Sequence, residues 1–279
     1  MAAQESVREG RLDEALVEVQ ALVRKDPGSA AHRVSLFQLL AVLGQWERAL
    51  TQLETAGQLD PAQMPLVYAY RAALAGEATR AAVFAGEASP SIIGEPLEWM
   101  AWLVEALRLT ARGEHEAATA LRAKAFDAAP ATPCEVDGTE VAWIADADSR
   151  LGPMLEVVVN GKYAWLPFQR LRAIRLQAPA DLRDLVWMPV SLTLESGAEV
   201  GALVPSRYPG SESDADPGIR LGRRTDWTEL APGCVVGRGQ RMLASDREDH
   251  PLMDLRAVRF PDGSGRAAAA SAPERGLDG

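Results

Sequence analysis

Gly10-Arg-Leu-Asp-Glu-Ala-Leu16, closing at Asp26-Pro27, returns as Gly44-Gln-Trp-Glu-Arg-Ala-Leu50, closing at Asp60-Pro61. Each run spans 17 positions from Gly to Pro, and the second begins 34 positions after the first. A looser third copy runs from Gly113-Glu-His-Glu-Ala-Ala-Thr119 to Ala129-Pro130. Gly10 and Gly44 fall where one helix turns into the next, and glycine tolerates the backbone angles of a sharp turn. Leu12 and Trp46 fill the space between paired helices, while Ala15 and Ala49 are small where helices approach closely. Pro27 and Pro61 end the second helix of each pair, because proline lacks an amide donor and clashes with the preceding turn.

A 34-residue period of helix pairs is the length of a TPR unit. The surrounding residues agree. Leu16, Val19, Leu22 and Val23 follow helical spacing, as do Val34, Phe37, Leu40, Ala41 and Leu43. Leu66 to Ala73 predicts a further helix, which Ala78 to Phe84 either continues or pairs with. Residues 86–95 carry Gly86, Pro90 and Gly94 and read as a loop. Trp99, Trp102, Leu103, Ala106 and Leu107 form one apolar stripe, which makes these tryptophans core residues.

Composition shifts at 129–140, where prolines and a glycine break the helical pattern. Beyond it the period becomes that of strands. Leu155–Val159 and Tyr163–Phe168 flank Asn160-Gly161, the strongest short hairpin signal. Leu171–Leu176 alternates apolar and basic residues, and Leu185–Leu194 with Glu199–Val204 predicts another hairpin. Cys234–Val236, Arg241–Ala244 and Leu255–Phe260 are shorter candidates. The expected class is α+β: a TPR-like helical repeat domain over 1–130, then a mainly antiparallel β domain over 131–262. A disordered tail over 263–279 follows, rich in Gly, Ala and Pro.

The net charge of −10 argues against nucleic acid as the main partner, since phosphate binding needs a basic surface. The arginine clusters at 170–175 and 220–224 read as solvated faces. No apolar run is long enough for a membrane span, and the polar N-terminus does not resemble a secretory signal, so the expected location is cytoplasmic. Cys134 and Cys234 have no Cys or His at ligand spacing and read as buried or incidental thiols.

The sequence holds few catalytic patterns. His32, His115 and His250 lack the partner one helical turn away that a helical zinc site needs. Gly161-Lys162 lacks the glycine spacing of a phosphate loop, so no metal or cofactor is expected. Asp146 and Asp148 would share one face of a strand and could hold a hard cation or an acid–base pair. The alternative is that both cap a turn and one pairs with Arg150. Asp246 to His250 reads as an exposed turn, and Asp181 as a capping residue with Trp187 buried behind it.

Four stretches carry a resemblance beyond the repeat: Trp143-Ile-Ala-Asp-Ala-Asp-Ser-Arg-Leu-Gly-Pro153, Asn160-Gly-Lys-Tyr-Ala-Trp-Leu-Pro167, Ala178-Pro-Ala-Asp-Leu-Arg-Asp-Leu-Val-Trp-Met-Pro189 and Arg207-Tyr-Pro-Gly-Ser211. With Phe37 to Leu50 they resemble the ImpE family, also called TagJ or SciE, accessory proteins of bacterial type VI secretion. The resemblance covers residues 5–260. It implies a cytoplasmic, non-enzymatic adaptor that binds the small subunit of the contractile sheath, and through it the sheath-disassembling AAA+ ATPase. It brings no catalytic residues. A repeat array presents a groove that receives a peptide or helix, and Arg33, Phe37 and Gln38 are the expected contacts. The competing expectation is an enzyme or metal-binding protein centred on Asp146 and Asp148.

Overall fold

The computed structural model describes residues 2–261; the tail expected to be disordered lies outside the described residues. Helices α1 (Ala2–Arg8), α2 (Leu12–Lys25), α3 (Ala30–Val42), α4 (Trp46–Leu59) and α5 (Met64–Phe84) form the repeat array, and α6 (Glu98–Ala111) pairs with α7 (His115–Ala128). Ala78–Phe84 thus continues α5. Ser29 caps α3 by accepting the His32 amide at 3.3 Å, which satisfies one orphan donor of the first turn. Leu12, Ala15, Phe37, Leu40, Ala49 and Leu53 are buried between the helices. Gly44 turns from α3 to α4 at φ +68°, where a side chain is strained.

Between α5 and α6 lies β1 (Ser91–Ile92); the second half holds β2 (Cys134–Val136), β3 (Thr139–Val141), β4 (Ile144–Asp146), β5 (Met154–Val159), β6 (Lys162–Pro167) and β7 (Leu171–Leu176). It continues with β8 (Trp187–Leu194), β9 (Glu199–Pro205), the short helix α8 (Pro217–Arg220), β10 (Thr225–Ala231), β11 (Cys234–Gly239), β12 (Met242–Ser245), β13 (Asp249–Pro251) and β14 (Ala257–Arg259). Nine strands form one sheet in the order β1-β6-β5-β9-β8-β7-β14-β2-β3; β10-β11 and β13-β12-β4 are separate small sheets. Every pairing is antiparallel except β1 with β6. The expected α+β class and both expected hairpins are present. Asn160 and Gly161 take positive φ (49° and 78°), as a two-residue turn between twisted strands needs.

The large sheet is buried on both faces. Leu155, Val157, Leu166, Val190 and Val204 enter one core with Leu243 and Leu255. Met154, Val158, Tyr163, Trp165 and Trp187 enter the core shared with the helices. That double burial is why β5 and β6 read as continuous apolar runs rather than alternating ones.

Two expectations need correction. The loop over 86–95 contributes β1, a two-residue edge strand, to the main sheet. At 246–250 the chain is exposed as expected through Asp249, but His250 is buried in β13, with Nε2 3.1 Å from Ser245 Oγ. A short apolar-poor strand has no sequence period to announce it.

Candidate functional site

The face of the array that a ligand-binding groove would offer is covered by the chain's own β half. Segment 181–187 lies along α3 and α5. The Gln38 Oε1 accepts the Leu182 amide at 3.2 Å. The Arg183 guanidinium sits 5.1 Å from the centre of the Tyr70 ring. Trp187 packs on Trp46 and Tyr70, at ring separations of 5.7 and 6.0 Å. Phe37 is fully buried and meets Tyr70 edge to face at 5.8 Å. Arg33 is half-buried and donates to Gln52 Oε1 at 2.7 Å. The structure therefore brings Phe37 and Gln38 together at an internal contact and leaves Arg33 towards the surface.

The same seam holds a buried ionic network. Arg80, on α5, reaches into the sheet: Nε and Nη2 donate to the two oxygens of Glu156 on β5, at 2.7 and 3.1 Å. Its Nη2 also donates to the Arg207 carbonyl at 2.7 Å, and Nη1 lies 3.5 Å from Glu77. Glu77 accepts the Trp187 indole N–H at 2.7 Å. Tyr163 donates to Glu156 and accepts from the Trp165 indole at 2.8 Å. From the opposite side, Arg241 bridges Glu156 to Asp146 and donates through Nε to the Pro205 carbonyl at 2.8 Å. Arg207 donates to the Val42 carbonyl at 3.0 Å and reaches Ala41, at the C-terminal end of α3, where a cation meets the last carbonyls and the negative end of the helix dipole. Arg80, Glu156, Arg241, Asp146 and Arg207 are all buried.

Asp146 and Asp148 belong to this network. Asp146 Oδ1 accepts the Asp148 amide at 2.9 Å and the Tyr208 hydroxyl at 3.1 Å, and Oδ2 accepts from Arg241. Asp148 Oδ1 accepts Arg150 N and Nε, both at 2.9 Å, and Oδ2 accepts the Gly237 amide at 2.9 Å. The lone pairs a metal ion would use are taken up by protein donors. Among the described residues no group of three or more His, Cys, Asp or Glu is placed to hold a metal. Arg150 pairs with Asp148 and stacks 4.8 Å from the Phe84 ring.

Burial and pairing set the protonation of these groups. Burial alone would raise Glu156, but Arg80 and Arg241 pull it down to about 2. Asp146 loses more to burial than Arg241 returns, with Asp148 adding repulsion, and it is pushed up to about 7. Arg207 is lowered by burial to about 10, whereas Arg80 and Arg241 are raised by the carboxylates around them.

Sequence reasoning missed Arg80, Glu156, Arg241 and Arg207. One signal was available: a carboxylate inside the apolar run Met154-Leu-Glu-Val-Val-Val159 and an arginine inside Ala78-Thr-Arg-Ala-Ala-Val-Phe84. Charges in such runs are buried only when paired. The stretches that carry the family resemblance supply most of the remaining members: Asp146, Asp148, Arg150, Tyr163, Trp165, Trp187 and Tyr208.

The fold and this seam define a class: a tetratricopeptide-repeat array joined through a buried ionic network to an antiparallel β half. A family model described as "Tetratricopeptide repeat" matches residues 6–74, and one described as "ImpE protein" matches residues 138–259. The chain is 51% identical over 260 residues to the type VI secretion system accessory component TagJ of Pseudomonas aeruginosa, covering 93% of this chain and 91% of that protein. It belongs to the ImpE/TagJ family. The crystal structure of protein VPA1032 from Vibrio parahaemolyticus superposes with a TM-score of 0.84 and covers 94% of this chain and 98% of that one; at 23% identity it shows the fold alone. Among the described residues no helix is long and apolar enough to cross a membrane.

Proposed function

We propose that this chain is a non-enzymatic, cytoplasmic accessory protein of a bacterial type VI secretion system, an adaptor that binds the small subunit of the contractile sheath and so connects to handling of the sheath by its AAA+ ATPase. The observation that carries the reading is the 51% identity, over nearly the whole chain, to a protein named as an accessory component of that system. The repeat array supports a protein partner, because stacked helix pairs present extended surfaces for proteins. The inner face of the array is taken by residues 181–187, so the partner meets the outer surface. Arg33 is the candidate polar contact there, and Phe37 and Gln38 hold α3 in place from within.

The test uses the purified full chain and the purified small sheath subunit. Titration calorimetry is expected to show saturable binding, and Arg33→Ala to weaken it several-fold while costing only about 1 kcal/mol of stability through its bond to Gln52. No binding to the assembled sheath or to its subunits would overturn the adaptor reading. Binding unchanged in Arg33→Ala would remove α3 from the contact.

A further inference from the structure

Sheet edges in the described residues are cut short, except in the β10–β11 ribbon. The nine-stranded sheet ends on β1, two residues long, and β3, three residues long. The three-stranded sheet ends on β13 and β4, three residues each, and β13 closes on Pro251. Short edge strands and proline keep unpaired backbone groups from recruiting another strand. β10 has no such guard: it is seven residues long, and residues 226–230 are all exposed.

The two edges of the β10–β11 ribbon differ. On β11, Val235 N donates to Ser149 Oγ at 2.7 Å and its carbonyl accepts Ser149 N at 2.9 Å. Gly237 N donates to Asp148 Oδ2 at 2.9 Å and Gly239 N to Ser211 Oγ at 2.8 Å, while the Gly239 carbonyl accepts Tyr208 N at 3.0 Å. That edge is tied to the body of the protein. In an antiparallel ladder, opposed residues either exchange hydrogen bonds or both turn outward. Val235, Gly237 and Gly239 turn outward, and they lie opposite Glu229, Trp227 and Thr225. Those three residues of β10 therefore turn their N–H and C=O groups to the open edge. A ribbon of two strands is marginal alone and gains from a third and fourth.

We infer that this edge pairs with the same edge of a second copy of the chain, antiparallel about a two-fold axis through Trp227. The register follows from which residues can bond and which charges would meet. An axis at residue 226 sets Asp226 against Asp226, and directly opposed like charges are unfavourable. An axis at residue 228 leaves Thr225 opposite Ala231, beyond the bulge between Glu229 and Ala231, and uses only two of the outward residues. An axis at residue 227 lets all three bond: Thr225 to Glu229, Trp227 to Trp227, Glu229 to Thr225. It sets Asp226 against Thr228 and Arg224 against Leu230, so no like charges oppose, and an aromatic pair sits on the axis. The strand is its own complement in this register, which selects a second copy over an unrelated strand. The contact is isologous and closes as a dimer.

Thr228 is exposed and sits opposite Asp226 of the second copy, so it tests the register. Sedimentation velocity of the full chain over a range of concentrations is expected to show a reversible dimer. Thr228→Lys would face Asp226 and tighten it; Thr228→Asp would loosen it. Each shift is expected to be about tenfold, because the pair occurs twice per dimer. Circular dichroism should be unchanged in both, since the site is on the surface. A monomer at every concentration overturns the inference, as does a dimer that ignores both substitutions or responds to them in the same direction. A monomer whose β10 edge binds a strand of another protein overturns it as well.

Discussion

The array and the seam are held by different chemistry. Between α3 and α4 the contact is apolar and small: Phe37, Leu40, Ala49 and Leu53 are buried without a charge among them. Between α5 and the sheet the contact is a buried chain of ionisable groups, Glu77–Arg80–Glu156–Arg241–Asp146. An apolar contact tolerates approximate shape and loses stability in proportion to what is removed. A buried ionic contact adds little net stability when complete, yet fails sharply when one partner goes, because the remaining charge has no water. The array can therefore drift in sequence while keeping its period. The seam fixes how the β half sits on the array.

The largest expected effect breaks the seam. Arg80→Ala leaves Glu77 and Glu156 buried without their shared cation and should cost about 3–5 kcal/mol in urea unfolding of the full chain. A cost near that of a surface change would mean that water enters the seam, and the contrast would fall. Leu53→Ala, in the array, should cost about 3 kcal/mol through lost burial and a cavity. It should leave the pH dependence of stability untouched, which separates it from the seam.

Proton linkage sharpens the contrast next. Asp146 is raised from 3.8 to about 7, so the folded state holds a proton that the unfolded chain has released. Its contribution is full below 3.8 and is lost as pH climbs towards 7. Glu156 is lowered from 4.5 to about 2, so its contribution is full above 4.5 and is lost as pH falls towards 2. Stability is thus expected to be greatest on the acid side of neutrality. Asp146→Asn should flatten the decline between there and pH 7, by something on the order of 4 kcal/mol, as read from melting temperature against pH. An unchanged slope would show that Asp146 is ionised in the folded state.

Gly44→Ala should cost about 1–2 kcal/mol, because the position is left-handed. An added Cβ would also press on Glu212 of the β half, 2.5 Å from its Cγ. The smallest effect lies outside both regions: Arg259→Ala, which breaks an exposed pair with Glu135 at 2.7 Å, should change stability by less than about 1 kcal/mol.

How much of this could be read in the chain differs by region. The array was readable because Gly10, Ala15 and Pro27 recur as Gly44, Ala49 and Pro61, and local turns and helix packing need those residue types wherever they fall. The strands β5 to β9 were readable from apolar runs and the Asn160-Gly161 turn. β10 was not, because Thr225-Asp-Trp-Thr-Glu-Leu-Ala231 has no buried face to impose a period of two. Asp146 and Asp148 stood out as a pair, but their partners did not: Arg241 lies 95 positions from Asp146.

The sequence by itself determined the α+β class, the helix pairs and their 34-residue period, the main hairpins and the family. Each rests on neighbours within a turn or a strand, where local geometry dictates residue type. Only the tertiary structure decided that the inner face of the array is filled by residues 181–187, that Arg80 of α5 shares Glu156 with Arg241, and that β10 is left with an open edge. Those facts depend on groups brought together across many tens of residues, and ion pairing in a buried seam obeys distance and dehydration, which no spacing along the chain encodes.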